Sequence, residues 1–224
     1  LRFVIIGGGP AGTQAATYAA RLGAQVTLIE RAIVGGAANL WDCVPSKAII
    51  RSAKLLSHMR RSKEFGIRSA TAEFDFADVM ERVQKVIKDI EPHDSVERYT
   101  ELGVDVVEGT AKIVSPWEVE ITDANGVRRM TTRSIVIAAG ARPFVPPIPG
   151  LAEQGYLTSD NVWELRVLPK RLVVLGGGPI GCELTQAFAR LGAQVTQVEM
   201  LPRLMIREDP EVSVMVAERF AAEG

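Results

Sequence analysis

RFVIIGGGPAGTQAATYAARLGAQVTLIE, residues 2–30, is the stretch whose reading decides the fold. Arg2 to Ile6 is a short, largely β-branched apolar run, the pattern of a buried parallel strand. Gly7, Gly9 and Gly12 follow as G-x-G-x-x-G, and Thr13 to Leu22 reads as a helix with small residues at its start. Gly23 ends that helix, and Gln25 to Ile29 is a second strand with Glu30 at its C-terminal end. Each part has a physical reason. The first glycine makes the tight turn, the second lets backbone approach a pyrophosphate, and the third lets helix and strand touch. The helix start offers unpaired N–H groups and a partial positive charge to phosphates. Glu30 can accept hydrogen bonds from an adenosine ribose. A plain glycine-rich βα turn would need only the glycines. Strand, glycines, helix, strand and acid in this order point to a dinucleotide.

The same wording returns further along. Leu172 to Leu175 is apolar, GGGPIG occupies Gly176 to Gly181, RLGAQVT recurs at Arg190 to Thr196, and Glu199 ends the strand. Gly7 and Gly176, Arg21 and Arg190, and Glu30 and Glu199 are each separated by 169 residues. This is an internal duplication, with a period too long for a solenoid. Two such units imply two dinucleotides. The economical pair is a flavin that stays and a nicotinamide that comes and goes.

Between the repeats, GGAANLWDCVPSK (Gly35 to Lys47) runs into a helix expected over about Pro45 to Lys63. Pro45 suits a first helical turn. Arg60, Arg61 and Lys63 read as a solvated helix end. Phe76 to Ile90 has Val79, Met80, Val83, Val86, Ile87 and Ile90 on one face, an amphipathic helix. Pro92 interrupts it, and a shorter helix runs to about Leu102. His58 and His93 stand alone and read as ordinary surface or half-buried histidines. Residues 104 to 132 turn to β character, with Asn125-Gly126 as a hairpin turn. Ile135 to Ala138 is a further buried strand ending in AAGARP, and VPPIPG (Val145 to Gly150) reads as a stiff crossing between domains. The expected fold is α/β: two Rossmann-like three-layer domains, the second truncated, with a β-meander inserted in the first. The domains are expected at 1–148 and 149–224.

The 224 residues are 47% hydrophobic and 24% charged, with a net charge of -1. That is an ordinary globular composition, and the near-zero charge argues against a nucleic-acid or anionic-membrane binder. No apolar run approaches the roughly 18 residues of a membrane span. Cys43 and Cys182 are the two cysteines, too few for a disulfide framework or a zinc pattern, so no metal site is expected and a reducing cytoplasm suits the chain. The chain opens at Leu1 directly into a strand, which leaves no signal peptide to expect, and residues upstream are expected to be missing.

Four motifs give the chain a resemblance to the pyridine nucleotide-disulfide oxidoreductases, the family of dihydrolipoamide dehydrogenase, glutathione reductase and mercuric reductase. They are GGGPAG with Glu30, GGAANLWDCVPSK, IVIAAGARP, and GGGPIGCE with Glu199. The resemblance implies FAD on the first unit, with Gly7, Gly9, Pro10, Ala11, Gly12, Glu30 and Arg31 at the ADP half. Gly36, Ala37, Ala111, Ala139 and Gly140 complete that expected flavin site. It implies a nicotinamide nucleotide on Gly176, Gly178, Pro179, Ile180, Gly181 and Glu199. It also implies that Lys47 lies near the reactive flavin nitrogen and pairs with Glu183.

The redox motif departs from the family pattern. Laid on G-G-x-C-x-N-x-G-C-x-P-S-K, Cys43 matches the second cysteine, but the first falls on Ala38, the Asn on Leu40 and the Gly on Asp42. A redox disulfide needs two sulfurs in bonding range. Cys43 is then either a small filler at a helix start or a thiol beside the flavin. The wording is similar to the disulfide-lacking NAD(P)H:quinone reductases. The expected activity is hydride transfer from NADH through FAD to a small acceptor, a quinone. A pyridine nucleotide transhydrogenase, a disulfide reductase with another thiol, and a non-catalytic nucleotide-binding module are the rivals. Glu199 favours NAD(H), and Arg203 four residues on keeps NADP(H) open. The resemblance covers about the first half of such an enzyme, whose C-terminal domain makes a homodimer.

Overall fold

A computed structural model describes residues 1–36 and 42–224. In its first part the elements are β1 (Arg2–Ile6), α1 (Pro10–Arg21), β2 (Gln25–Glu30), α2 (Cys43–Arg60), α3 (Phe76–Ile90), α4 (Val96–Glu101) and β3 (Val104–Glu108). Then come β4 (Thr110–Ser115), β5 (Glu118–Asp123), β6 (Gly126–Thr131), β7 (Ser134–Ile137) and α5 (Leu151–Gln154). The last are β8 (Arg171–Leu175), α6 (Pro179–Leu191), β9 (Gln194–Val198) and α7 (Pro210–Glu223). They divide into two compact units, Leu1–Cys43 with Ile87–Tyr156, and Val44–Val86 with Leu157–Gly224. Both units are assembled from separated stretches, where the sequence reading has one cut after residue 148.

The first unit is a three-layer α/β structure. Its sheet has the order β3-β2-β1-β7, with all neighbouring pairs parallel. Parallel strands are buried on both faces, which is why β1 and β2 are apolar at consecutive positions. On one face Ile5, Leu28, Val26 and Val104 pack with Ala16 of α1 and Tyr99 of α4. On the other, Val4, Ile29 and Val107 pack with Val119 and Ile121 of β5. β5 is the centre of the antiparallel meander β4-β5-β6, so the meander is the third layer. Val119 and Ile121 are fully buried. Each such side chain stabilises the fold by about 1.5–3 kcal/mol, and truncating either weakens the packing of the meander on the sheet by a comparable amount.

In the second unit, β8 and β9 pair in parallel around α6. α3 packs on α6 through Phe76 and Phe188, whose rings are 5.9 Å apart between centroids. Met80 and Val83, on the apolar face of α3, are fully buried, as is Ile49 of α2. Arg82 donates to the Ala48 carbonyl at 2.8 Å and ties α3 to α2. α7 is held to α6 by Arg190, which grips both oxygens of Glu223 at 2.8 Å. Burial pushes the Glu223 carboxyl up, yet Arg190 and Arg219 outweigh it and hold the group below the usual carboxylate range.

Two helix starts differ from the sequence expectation. α1 begins at Pro10 instead of Thr13, because proline at the first position is preorganised for the helix and the glycine turn leads straight into it. α2 begins at Cys43 instead of Pro45 and ends at Arg60, followed by a 3-10 turn over Ser62–Phe65. Pro45 is still within the first turn, where its missing N–H costs nothing. Among the described residues, no helix is long and apolar enough to cross a membrane.

Candidate functional site

The two glycine turns are built alike. Gly7 has φ 108° and donates to the Ile29 carbonyl at 2.8 Å; Gly176 has φ 113° and donates to Val198 at 2.8 Å. These positive φ values are what the first glycine is for. The third glycine serves contact. A Cβ on Gly12 would lie 1.8 Å from the Gly7 oxygen, and one on Gly181 would lie 2.3 Å from the Gly176 oxygen. The middle glycines are different. Among the described residues, the nearest atom to such a Cβ on Gly9 is the Gly36 Cα at 4.0 Å, and around Gly178 there is nothing within 4 Å. Backbone is laid bare there. Pro10 and Pro179 open α1 and α6, and neither start has a side-chain cap. The N–H groups of each first turn therefore face outward, with the helix dipole behind them.

The carboxylates at the strand ends close each turn. Gly8 N–H donates to one Glu30 oxygen at 2.6 Å and Ala32 N–H to the other at 2.8 Å. Gly177 and Leu201 do the same for Glu199 at 2.5 and 2.7 Å. The Leu201 and Gly177 N–H groups hold the Glu199 carboxyl below the usual carboxylate range. Below that range the proton returns and the bonds weaken, so the turn is at full strength at neutral pH. Sequence reasoning gave each glutamate a ribose to meet and missed that it also braces its own turn. The repeated spacing, Gly8 to Glu30 and Gly177 to Glu199, was the available signal.

Two of the neighbouring candidates, Gly36 and Ala139, lie against the first turn. A Cβ on Gly36 would lie 2.6 Å from the Gly9 Cα, and one on Gly7 would lie 3.1 Å from the Ala139 nitrogen. Gly140 follows at φ 68°. Arg31 is exposed just past Glu30. Ala111 packs against the Val4–Ile29 core beneath the meander. Ala37 lies outside the described residues, as does Ala38. At the second turn, the Arg203 guanidinium is committed to the carbonyls of Glu208 and Ile206 at 2.9 Å and of Met205 at 3.4 Å. Met205 itself is at φ 50°, and its N–H donates to the Gly177 carbonyl at 2.7 Å, where the first unit uses Gly35 for the same bond to Gly8 at 2.8 Å.

Lys47 and Glu183 come together within the second unit. The Lys47 ammonium lies 2.8 and 2.6 Å from the two Glu183 oxygens and 3.3 Å from the Ser46 hydroxyl. Glu183 is placed by α6, two residues after Gly181; Lys47 is in the first turns of α2. The lysine side chain is 58% exposed, so the pair contributes little to stability and leaves a positioned cation facing solvent. Cys43, the first residue of α2, is exposed; Cys182 is buried, and burial pushes its thiol up.

The family model for pyridine nucleotide-disulphide oxidoreductases matches residues 1–224. The chain is 35% identical over 222 residues to a mercuric reductase of Lysinibacillus sphaericus, covering 99% of this chain and 40% of that one. It is 37% identical over 220 residues to a dihydrolipoyl dehydrogenase of Chlorobaculum parvum, covering 96% and 46%. The chain thus spans less than half the length of these two relatives. The crystal structure of LpdA from Mycobacterium tuberculosis superimposes with a TM-score of 0.84 at 31% identity, over 100% of this chain and 50% of that one. On the match over its whole length, the chain belongs to the pyridine nucleotide-disulphide oxidoreductase family.

Proposed function

We propose that the protein works as an FAD-dependent NADH oxidoreductase that passes electrons to a small acceptor, a quinone. The flavin nucleotide is assigned to residues 1–148 and the nicotinamide nucleotide to 149–224, within a homodimer. The observation that carries the reading is the pair of like turns, each with a bare middle glycine, an uncapped helix start and a braced carboxylate. The open space beside Gly9 and Gly178 among the described residues suits a pyrophosphate in each cradle.

In this reading Gly9 and the first turn of α1 bind the flavin pyrophosphate, and Glu30 accepts from its ribose. Gly178 and the first turn of α6 bind the nicotinamide nucleotide. The flavin supplies hydride acceptance and electron delivery; the protein supplies binding, orientation and charge. Lys47 presents its ammonium to negative charge arriving on the flavin, and Glu183 keeps that ammonium in one place. Ala38 stands where the family has its first redox cysteine, so the sequence does not repeat the family's cysteine pair.

Steady-state assays test this directly. The longest natural polypeptide carrying this sequence is expected to purify with FAD and to oxidise NADH with small quinones. Lipoamide and glutathione disulfide are expected to be poorer acceptors by more than about tenfold, for want of a thiolate pair to exchange. Cys43→Ser is expected to lower quinone turnover only modestly. Comparable turnover on a disulfide would overturn the acceptor assignment, and failure to take up FAD would overturn the whole reading.

NADH is expected to be preferred over NADPH. Glu199 puts a carboxylate where a 2′-phosphate would sit, and Arg203 is already spent on three carbonyls of its own loop. Because Glu199 is held ionised, the preference is expected to stay level from neutral pH down towards the carboxylate range. Glu199→Ala is expected to erode the kcat/KM ratio of NADH to NADPH by about tenfold, chiefly through KM. A wild-type preference for NADPH, or an unchanged ratio in the variant, would show that Glu199 does not read the ribose.

A further inference from the structure

The peptide that leads into the middle glycine of the second turn is held from outside the turn. The Gly177 carbonyl accepts from the Met205 N–H at 2.7 Å, with the Cys182 thiol, a weak donor, at 3.4 Å. A peptide is planar and trans, so fixing that carbonyl also fixes the Gly178 N–H, which points the opposite way. Leu204 bears on the same spot, since a Cβ on Gly177 would lie 2.7 Å from its Cδ2.

Met205 makes its bond from an unfavourable conformation. At φ 50° it is the one non-glycine residue with positive φ among the described residues. An L side chain is crowded against its own backbone there, and such a residue persists only where its surroundings over-determine it. The first unit makes the matching bond, Gly35 N–H to the Gly8 carbonyl, with a glycine at φ 103°. Glycine takes that conformation without the steric cost and needs no clamp. Met205 is clamped. Arg203, half-buried, gives one N–H each to the carbonyls of Met205 at 3.4 Å, Ile206 at 2.9 Å and Glu208 at 2.9 Å. The Ser213 hydroxyl of α7 donates to the Leu204 carbonyl at 2.5 Å and ties the loop from the helix side. A planar guanidinium can hold several carbonyls in one geometry, which the point charge of a lysine cannot.

We infer that Arg203 is the positioning residue of the second turn: it clamps residues 205–208 so that Met205, held left-handed, keeps the Gly177–Gly178 peptide aimed for a dinucleotide. The inference rests on the proposed function and gives Arg203 a role toward both nicotinamide nucleotides instead of toward a 2′-phosphate. A peptide oriented before binding costs no ordering on binding, so loss of the clamp falls on affinity.

The test uses Arg203→Gln, Arg203→Lys, Met205→Gly and the double variant Arg203→Gln with Met205→Gly, in the longest natural polypeptide carrying this sequence, saturated with FAD. The probes are ADP-ribose and ADP-ribose 2′-phosphate, which carry the half of the nucleotide assigned to the second turn and cannot reduce a flavin. Affinities are read by calorimetry and folding by thermal melting. Arg203→Gln is expected to weaken both probes in parallel by about tenfold, and Arg203→Lys by about threefold. Met205→Gly is expected to weaken them about twofold, because the freer loop must be ordered on binding. The double variant is expected to recover to within about threefold of wild type, since glycine stays left-handed without the clamp. A merely loosened fold would instead be loosened further by the second change. Wild-type affinity in Arg203→Gln would overturn the inference, as would a loss confined to the 2′-phosphate probe or a double variant that binds no tighter than Arg203→Gln. If Arg203→Gln does not fold, Arg203→Lys with and without Met205→Gly decides by the same recovery. A wild-type protein that binds neither probe would overturn the proposed function, and the inference with it.

Discussion

Gly12→Ala is expected to destabilise the first unit by about 3 kcal/mol or more, the upper end of what an overpacked methyl costs. The added Cβ would lie 1.8 Å from the Gly7 oxygen and 3.0 Å from the Gly7 carbonyl carbon. Both are backbone atoms, so no side chain can rotate away. Either α1 lifts from β1 or the turn unwinds, and both undo the cradle. A domain holds only about 5–15 kcal/mol in all, so the loss is a large share. The contrast is Gly9→Ala. Gly9 has φ −74°, and its nearest neighbour across the gap is 4.0 Å away, so the fold should lose at most about 1 kcal/mol, from a poorer helix cap. If the first turn holds the flavin pyrophosphate as proposed, FAD binding is nevertheless expected to vanish, because the methyl would stand in its path. Urea midpoints and flavin titrations of the two variants are therefore expected to separate folding from binding. Equal midpoints for Gly12→Ala and wild type would mean that helix and strand do not meet as described.

The cradle was legible in the sequence because its rule is steric and local. Where a Cβ cannot stand, glycine must be, and the same spacing at Gly7–Gly12 and Gly176–Gly181 gave two turns with matching bonds. The parallel sheet and the meander were legible too, from strand composition and Asn125-Gly126. What the residues did not disclose were partners at long range. The period of α3 marks Met80 and Val83 as inward-facing, but not that Phe76 would meet Phe188 more than a hundred residues later. Residues 44–86 group with 157–224 in one compact unit. The bracing of Glu30 and Glu199 by backbone N–H groups left only the repeated Gly8–Glu30 and Gly177–Glu199 spacing as a signal, since backbone donors are present at every residue and leave no mark in composition. Arg203 was read as a cation near the second turn; only the path of residues 205–208 discloses that three of its five N–H donors go to carbonyls of its own loop.

Lys47→Met is expected to cut NADH-dependent quinone turnover by roughly 100- to 1,000-fold, the usual effect of losing one preorganised charge at a reacting centre. Stability should change by less than about 0.5 kcal/mol, because an ion pair whose lysine is 58% exposed is screened by water. That separation matters. A pair kept for folding would have been buried or networked; this one leaves the ammonium accessible and fixes it with two bonds, at 2.6 and 2.8 Å. Fixing it costs side-chain entropy that an exposed pair barely recovers, so the arrangement makes physical sense where the cation has a further task. Glu183→Gln keeps the shape and one acceptor but loses the countercharge. It is expected to fall between, about tenfold down in kcat, with KM for NADH little changed, since neither residue is assigned to the nicotinamide turn. Lys47→Arg restores charge without the point geometry of an ammonium and should rescue only in part. Full turnover in Lys47→Met, with the fold intact by melting temperature, would reduce the pair to a surface salt bridge and remove Lys47 from the mechanism.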